Sequence, residues 1–578
     1  MDKGTKKKDK IPSSLILHPY SLINTHMIST IQQSNPTRHM FSYINASVRN
    51  NWNEPAFSDF QKDVHYSFGE VATRTARLGM LFDSLGVAPG SKIAICGTNC
   101  SNWAICFLSI LMNDRVVVGM LPDFVGADIE KLVNHSDAEL LLAGASIIKK
   151  IRPAEMPRLK AIVCIDDYSL AYAADEAAQA AFNGLDAAFA ARYPNGYSAA
   201  DVHYREDNLD ELALINYTSG TTSSPKGVML SYRALSSNVQ FSIDNMECHP
   251  GLTLVSMLPL AHMFGMLVEL LFQFAGGSHV CFITRLTTPT LMQAFKECKP
   301  LLIVAVPLVL EKIYQKQLKP VLSKPVIKAL WNIPGVGTLI RKKVHDQLLA
   351  AFGGNLKSLI AGGAAMNPEV EKCMMDVRLP FVVGYGMTEC APLVGYVRWQ
   401  DFRARSCGKL VDRMELRIDS QDPANVPGEL LVRGDNVMLG YYKNDEATKA
   451  AFTEDGWMRT GDMGVVDKDG YIYLRGRCKT LILSPNGQNI YPEEIEALLN
   501  AEDPVEESLI VSREDKLVAL IYPGAEHLSD AGLQDALNAA ITDVNKRLPH
   551  YCKIASFEVQ QEEFAKTPKK SIKRFMYK

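Results

Sequence analysis

Long apolar runs are missing from this 578-residue chain, which has nothing like the roughly 20 consecutive apolar residues that cross a bilayer. The two nearest candidates, 103–121 and 263–275, are broken by Asn113-Asp114-Arg115 and by Glu269. Five lysines fall in the first ten residues, but His18 and Pro19 interrupt the apolar segment behind them, so no secretory signal is expected. Residues 1–34 are read as a disordered lead. Paired cysteines are missing too. Twelve cysteines are scattered without a Cys-x-x-Cys spacing, and the densest group, Cys96, Cys100 and Cys106, has no nearby histidine to complete a zinc site. Buried reduced thiols in a cytoplasmic protein are the expectation. Strong charge of either sign is absent as well. A net charge of −3 removes the main electrostatic reason to expect a nucleic-acid partner. There is no internal repeat.

What is present is a long globular composition, 47% hydrophobic and 22% charged, too large for one simple core. From about Tyr66, helix-like and strand-like segments alternate: a helical pattern over 68–85, a strand at 92–96, a buried helix at 103–112 and a strand at 116–121. This βαβα series predicts an α/β protein with parallel sheets covered by helices on both faces. An alanine-rich helical stretch, 171–193, precedes a strand at 212–217. After about Cys407 short β-like runs are separated by turn dipeptides such as Asp469-Gly470, which predicts a β-rich part over about 407–476. The last hundred or so residues return to mixed α/β, with helices expected at 492–500 and 530–547.

Chemistry concentrates in a few short segments. Tyr217-Thr-Ser-Gly-Thr-Thr-Ser-Ser-Pro-Lys-Gly-Val228 follows a strand and brings six Ser/Thr hydroxyls, two glycines and a lysine into one loop. Hydroxyls and free backbone N–H groups can wrap phosphate oxygens, glycines allow close approach, and Lys226 supplies positive charge. The Walker spacing Gly-x4-Gly-Lys-Ser/Thr is absent. Gly384-Tyr-Gly-Met-Thr-Glu389 follows an apolar strand. Ala361-Gly-Gly-Ala-Ala365 lies upstream, and Gly456-Trp-Met-Arg-Thr-Gly-Asp462 leads into 470–477.

In this order the segments resemble the adenylate-forming superfamily of acyl-CoA synthetases, peptide-synthetase adenylation domains and beetle luciferases, from about Asn51 to the end. The resemblance implies a large domain over 35–476, a hinge at 477–479 and a mobile C-terminal α+β domain over 480–578. It implies ATP and CoA as co-substrates, Mg²⁺ as the cation, and a two-step reaction through an acyl-adenylate. It assigns ATP or AMP to Thr218, Ser219, Gly220, Thr221, Thr222, Gly362, Gly363, Ala364, Tyr385 and Gly386. Tyr385 would stack on adenine, and Asp462 with Arg477 would hold the ribose. Lys226 and Thr388 would act at the phosphates, Glu389 would bind the metal, Lys479 would be the pivot, and Asn486-Gly487 would face CoA. Pro259-Leu-Ala-His262-Met-Phe264 resembles the border of the acyl tunnel, where His262 is either functional or a satisfied core histidine. The family's C-terminal catalytic lysine is assigned to Lys570. Counted from Pro568, however, the family position falls on Ser571, one place later.

The extended stretch 306–359 resembles the long-chain fatty acyl-CoA synthetases, closest to those of bacterial type. Nine Lys/Arg against two acids between 311 and 357, interleaved with Val321, Leu322, Ile327, Leu330 and Trp331, suit either an anionic membrane surface or a solvated helix pair. Two other readings stay open: loading of a carrier-protein thiol in place of CoA, and a catalytically weak acyl or nucleotide sensor.

Overall fold

The computed structural model describes residues 29–31, 35–218, 225–484, 488–514, 516–566 and 572–577. Its largest sheet has eight strands. In spatial order they are Gly440–Tyr441, Lys226–Ser231, Leu212–Thr218, Val116–Met120, Lys92–Cys96, Leu140–Ala143, Ala161–Cys164 and Leu170–Ala173. The middle five strands run parallel, and the outer ones are added antiparallel. The central strands are apolar on both faces, as a sheet covered twice requires; Val116–Met120 is buried at every position. Helix Ser101–Met112 covers one face, with only Asn102 outside the buried set. Helix Phe68–Ser84 begins on a capping box, in which Ser67 Oγ accepts from Glu70 N and Glu70 accepts from Ser67 N.

A second sheet, in the order Thr253–Ser256, His279–Phe282, Pro55–Asp59, His65–Ser67, is parallel but for its last pair. A third is a parallel trio, Leu302–Ala305, Ser358–Ala361 and Phe381–Val383. The β-rich part holds an antiparallel sheet of Met414–Asp419, Gly428–Gly434, Met458–Val466 and Ile472–Arg477. Its fifth strand is Ser29–Ile31, which pairs with Arg417, Leu416 and Glu415. Within the stretch read as a mostly disordered lead, this strand is described: an open sheet edge accepts any extended segment through backbone groups alone.

The small C-terminal domain builds its own core. Strands Glu507–Arg513, Lys516–Tyr522 and Ile554–Val559 form its sheet, covered by helices Pro492–Leu499 and Leu533–Arg547. The fold is therefore α/β, with a large N-terminal domain and a small C-terminal one. All twelve cysteines are free. Among the described residues no helix is long and apolar enough to cross a membrane.

Candidate active site

The C-terminal ends of parallel strands are where open α/β sheets gather their ligands. Here the trio ends in Val306, in Gly362-Gly363-Ala364 and in Gly384. Gly362 N donates to Ala305 O (3.1 Å) and Gly384 N to Ala361 O (2.9 Å), so the three ends are laced side by side. Gly363 has φ +85° with open space where a Cβ would stand, a conformation that glycine adopts without strain. Gly363 and Ala364 are exposed at this edge.

The hairpin of Leu212–Thr218 and Lys226–Ser231 has a register that sets Lys226 opposite Thr218. Ser219, Gly220, Thr221 and Thr222 lie outside the described residues, as do Asn486, Gly487 and Lys570. At the hairpin mouth the Lys226 ammonium stands 4.7 Å from the centre of the Tyr441 ring. The Tyr441 hydroxyl donates to Glu389 Oε1 (3.0 Å). Tyr441 thus spans the lysine and the carboxylate, and its strand Gly440–Tyr441 is the edge partner of Lys226–Ser231. Burial and the neighbouring Glu389 push the Tyr441 hydroxyl far up, so it stays a donor.

The turn carrying Gly386, Thr388 and Glu389 is held from behind by Asn238, which is fully buried in helix Tyr232–Asn245. Asn238 donates to Cys390 O (3.1 Å) and accepts from Leu393 N (2.9 Å). Met438 N donates to Glu389 O (2.9 Å). Thr388 is buried, and a Cβ at Gly386 would lie 2.4 Å from Pro392 O, so glycine lets the two strands close here.

Asp462 and Arg477 face each other across antiparallel strands, with Arg477 Nε 2.8 Å from Asp462 Oδ1. Oδ2 accepts from the Tyr385 hydroxyl (2.6 Å). Asp462 N donates to Thr460 Oγ1 (3.0 Å), which donates in turn to Leu430 O (2.8 Å). Burial pushes the Asp462 carboxyl up, against the pull of Arg477 and of the tyrosine hydroxyl. Each carboxylate oxygen keeps a second lone pair, which suits a cis-diol. Tyr385 itself is 7% exposed, and the residue that the resemblance gives to adenine stacking also secures the Asp462 carboxylate.

Phe264 packs where a Cβ at Gly362 would lie, 3.1 Å from its ring, so the 259–264 segment touches the glycine strand. His262 Nδ1 accepts from Phe264 N (3.3 Å). Lys479 is exposed in the turn after Ile472–Arg477, where Cys478 N donates to Gly461 O (2.9 Å). Among the described residues no three potential metal ligands gather. A lone carboxylate is still what a magnesium ion bound chiefly through phosphate oxygens and water requires.

Sequence reasoning missed Tyr441 and Asn238. A signal existed for the first, the Gly440-Tyr-Tyr442 turn after a strand; Asn238 sits in a helix of ordinary polarity and had none.

Two family profiles match the chain: one described as AMP-binding enzyme over residues 44–442, and one described as AMP-binding enzyme C-terminal domain over 479–577. The chain is 29% identical over 556 residues to the long-chain-fatty-acid–CoA ligase FadD15 of Mycobacterium bovis, covering 87% of this chain and 88% of that protein. It is 26% identical over 487 residues to 4-coumarate–CoA ligase 3 of Oryza sativa subsp. japonica, covering 80% and 78%. The crystal structure of the anthranilate CoA ligase AuaEII in complex with anthranoyl-AMP superposes with a TM-score of 0.73 at 19% identity, over 94% of this chain and 97% of that one. The fold is shared. With the first profile spanning well over half its length, the chain belongs to the AMP-binding enzyme family.

Proposed function

We propose that the chain is an AMP-forming acid–CoA ligase acting on medium- or long-chain fatty acids. The observation that carries this reading is the convergence of Lys226, Tyr441–Glu389 and Tyr385–Asp462–Arg477 around the glycine strand ends. A cation, a metal-binding carboxylate and a diol-binding carboxylate there match the three parts of a nucleoside triphosphate.

In the first step a substrate carboxylate oxygen attacks the α-phosphorus in line, and the bond to pyrophosphate breaks. Lys226 and Thr388 face the charge that develops on the phosphate oxygens, and Asp462 holds the ribose in register. A magnesium ion held by Glu389 would offset the charge of the triphosphate. In the second step the CoA thiol loses its proton and attacks the acyl carbon, and AMP leaves. The small domain, turning about Lys479, would bring Asn486-Gly487 to the thiol for that step and Lys570 to the phosphate for the first.

The fatty-acid assignment draws on the similarity to FadD15 and on the extended 306–359 stretch. Its helices Pro325–Trp331 and Val336–Ala351 expose Val326 (68%) and Leu339 (69%), with Lys324, Lys328, Lys342 and Lys343 around them. Apolar side chains rimmed by lysines suit the face of an anionic bilayer, where such acids reside. Flotation with phosphatidylserine vesicles tests this; no binding to them, or equal binding to phosphatidylcholine vesicles, removes the membrane reading.

Acid-dependent ATP–pyrophosphate exchange across a panel tests the substrate. The expected order puts C12–C18 acids above acetate and above hydroxycinnamates such as 4-coumarate. A higher kcat/KM for either of the latter removes the fatty-acid reading.

A further inference from the structure

The segment 257–262, which runs from the strand Thr253–Ser256 to Phe264, belongs to no strand or helix, yet side chains from three other elements take its backbone groups one after another. Glu269, fully buried in the π-helical turn Gly265–Leu271, accepts from Ser256 Oγ (2.8 Å), Met257 N (3.2 Å) and Leu258 N (3.1 Å). Asn99, just past the strand Lys92–Cys96, donates to Leu258 O (2.6 Å) and accepts from Leu260 N (2.9 Å). Asn216, 2% exposed in Leu212–Thr218, donates to Ala261 O (2.9 Å). Pro259 has no N–H to satisfy, and its carbonyl takes His262 N.

Two details show that these contacts are built in. Gly119 lies beside Asn216, where a Cβ would come 3.3 Å from the amide nitrogen, so glycine there leaves the amide its path. Among the described residues no cation is paired with Glu269, and burial pushes its carboxyl up to about 8; a buried carboxyl in an apolar turn is costly unless its acceptors are used. Isolated loops are normally the mobile parts of a site. This one is fixed at successive peptide groups.

We infer that Glu269, Asn99 and Asn216 are positioning residues for the acyl side of the site. They fix the segment that carries His262 and Phe264, and Asn216 ties it to the strand that runs into the nucleotide loop. Asn216 stands two residues before Thr218, and Phe264 packs against Gly362. The acyl border is thus registered on both nucleotide-side elements, and a shift of either is felt where the carboxylate must meet the α-phosphorus. The inference rests on the reading of 259–264 as the acyl border.

The test measures KM for palmitate and for ATP separately in wild type, Phe264→Ala, Asn216→Leu, Glu269→Leu and Glu269→Gln, each checked for fold by circular dichroism. Loss of one buried hydrogen-bonded tether is expected to raise the palmitate KM about tenfold in Asn216→Leu and Glu269→Leu while ATP KM stays within about twofold. Glu269→Gln keeps an acceptor oxygen and is expected to return most of the loss. If Glu269→Leu does not fold, Asn99→Ala, at a partly exposed site, replaces it with the same expectation. Equal changes in both KM values, no change in either, or a Gln variant as impaired as Leu overturns the positioning role. If Phe264→Ala leaves palmitate KM unmoved, the acyl-border reading falls and the inference with it. If Phe264→Ala raises it and the tether variants do not, only the inference falls.

Discussion

The proposed nucleotide side and the proposed acyl side of this site are built by opposite means. The proposed nucleotide side consists of strand ends and turns, Gly362-Gly363, Gly384–Glu389 and the hairpin positions Thr218 and Lys226, each placed by its own local backbone. The acyl side has a segment without a ladder, held by Asn99, Asn216 and Glu269 from up to 161 residues away in the chain. A contiguous run can act from local geometry, whereas a tethered segment acts only when the whole domain is assembled. Substitutions on the first should damage chemistry, and those on the second should damage acid binding.

The largest break is expected at the charges beside phosphate and metal. Lys226→Ala and Glu389→Ala should each slow pyrophosphate exchange on the order of a hundredfold, about 3 kcal/mol of transition-state stabilisation, with the fold intact. Near-normal exchange in either variant would falsify its placement. Next comes the C-terminal lysine. Lys570→Ala should depress exchange by about tenfold or more while leaving thioester formation from supplied acyl-adenylate nearly unchanged, because only the first step uses it. A silent Lys570→Ala beside an inactive Lys569→Ala or Lys573→Ala would move the role within the run and leave the enzyme reading standing.

A smaller effect is expected at Tyr385→Phe. Removing a hydroxyl that donates to a buried carboxylate should raise the KM for ATP about tenfold and leave that for the acid alone, the mirror image of the tether variants. A rise in the acid KM instead would erase the division between the two sides.

A separate effect is in stability against pH. The folded state holds the Glu269 proton up to about pH 8, whereas the unfolded chain releases it near 4.5. Its contribution is therefore complete below about 4.5 and is lost as pH rises to 8. The Tm of Glu269→Gln should fall less than that of wild type between pH 5 and 8; equal slopes would show that this carboxyl does not titrate in that window.

The same division explains what could be read in advance. The alternation of strands and helices, the glycine strand, the Thr388-Glu389 turn and the Asp462 and Arg477 positions are local patterns, and local patterns survive in a sequence. Asn238 serves backbone groups at 390 and 393, and Tyr441 serves Glu389 52 residues away, so their roles exist only in the folded state. Glu269 was visible as the charge that breaks the 263–275 run, yet periodicity says nothing of what a buried charge holds. The edge strand Ser29–Ile31 pairs through main-chain groups, which leave no side-chain signature.

The central claim, acyl transfer through an adenylate at this site, is tested most directly with doubly ¹⁸O-labelled palmitate, ATP and CoA. If the carboxylate attacks the α-phosphorus and the thiol then cleaves the acyl C–O bond, one ¹⁸O must appear in the phosphoryl group of the AMP released and the other in the thioester carbonyl of palmitoyl-CoA, beside unlabelled pyrophosphate. Unlabelled AMP, or label recovered in inorganic phosphate alongside ADP, would contradict it.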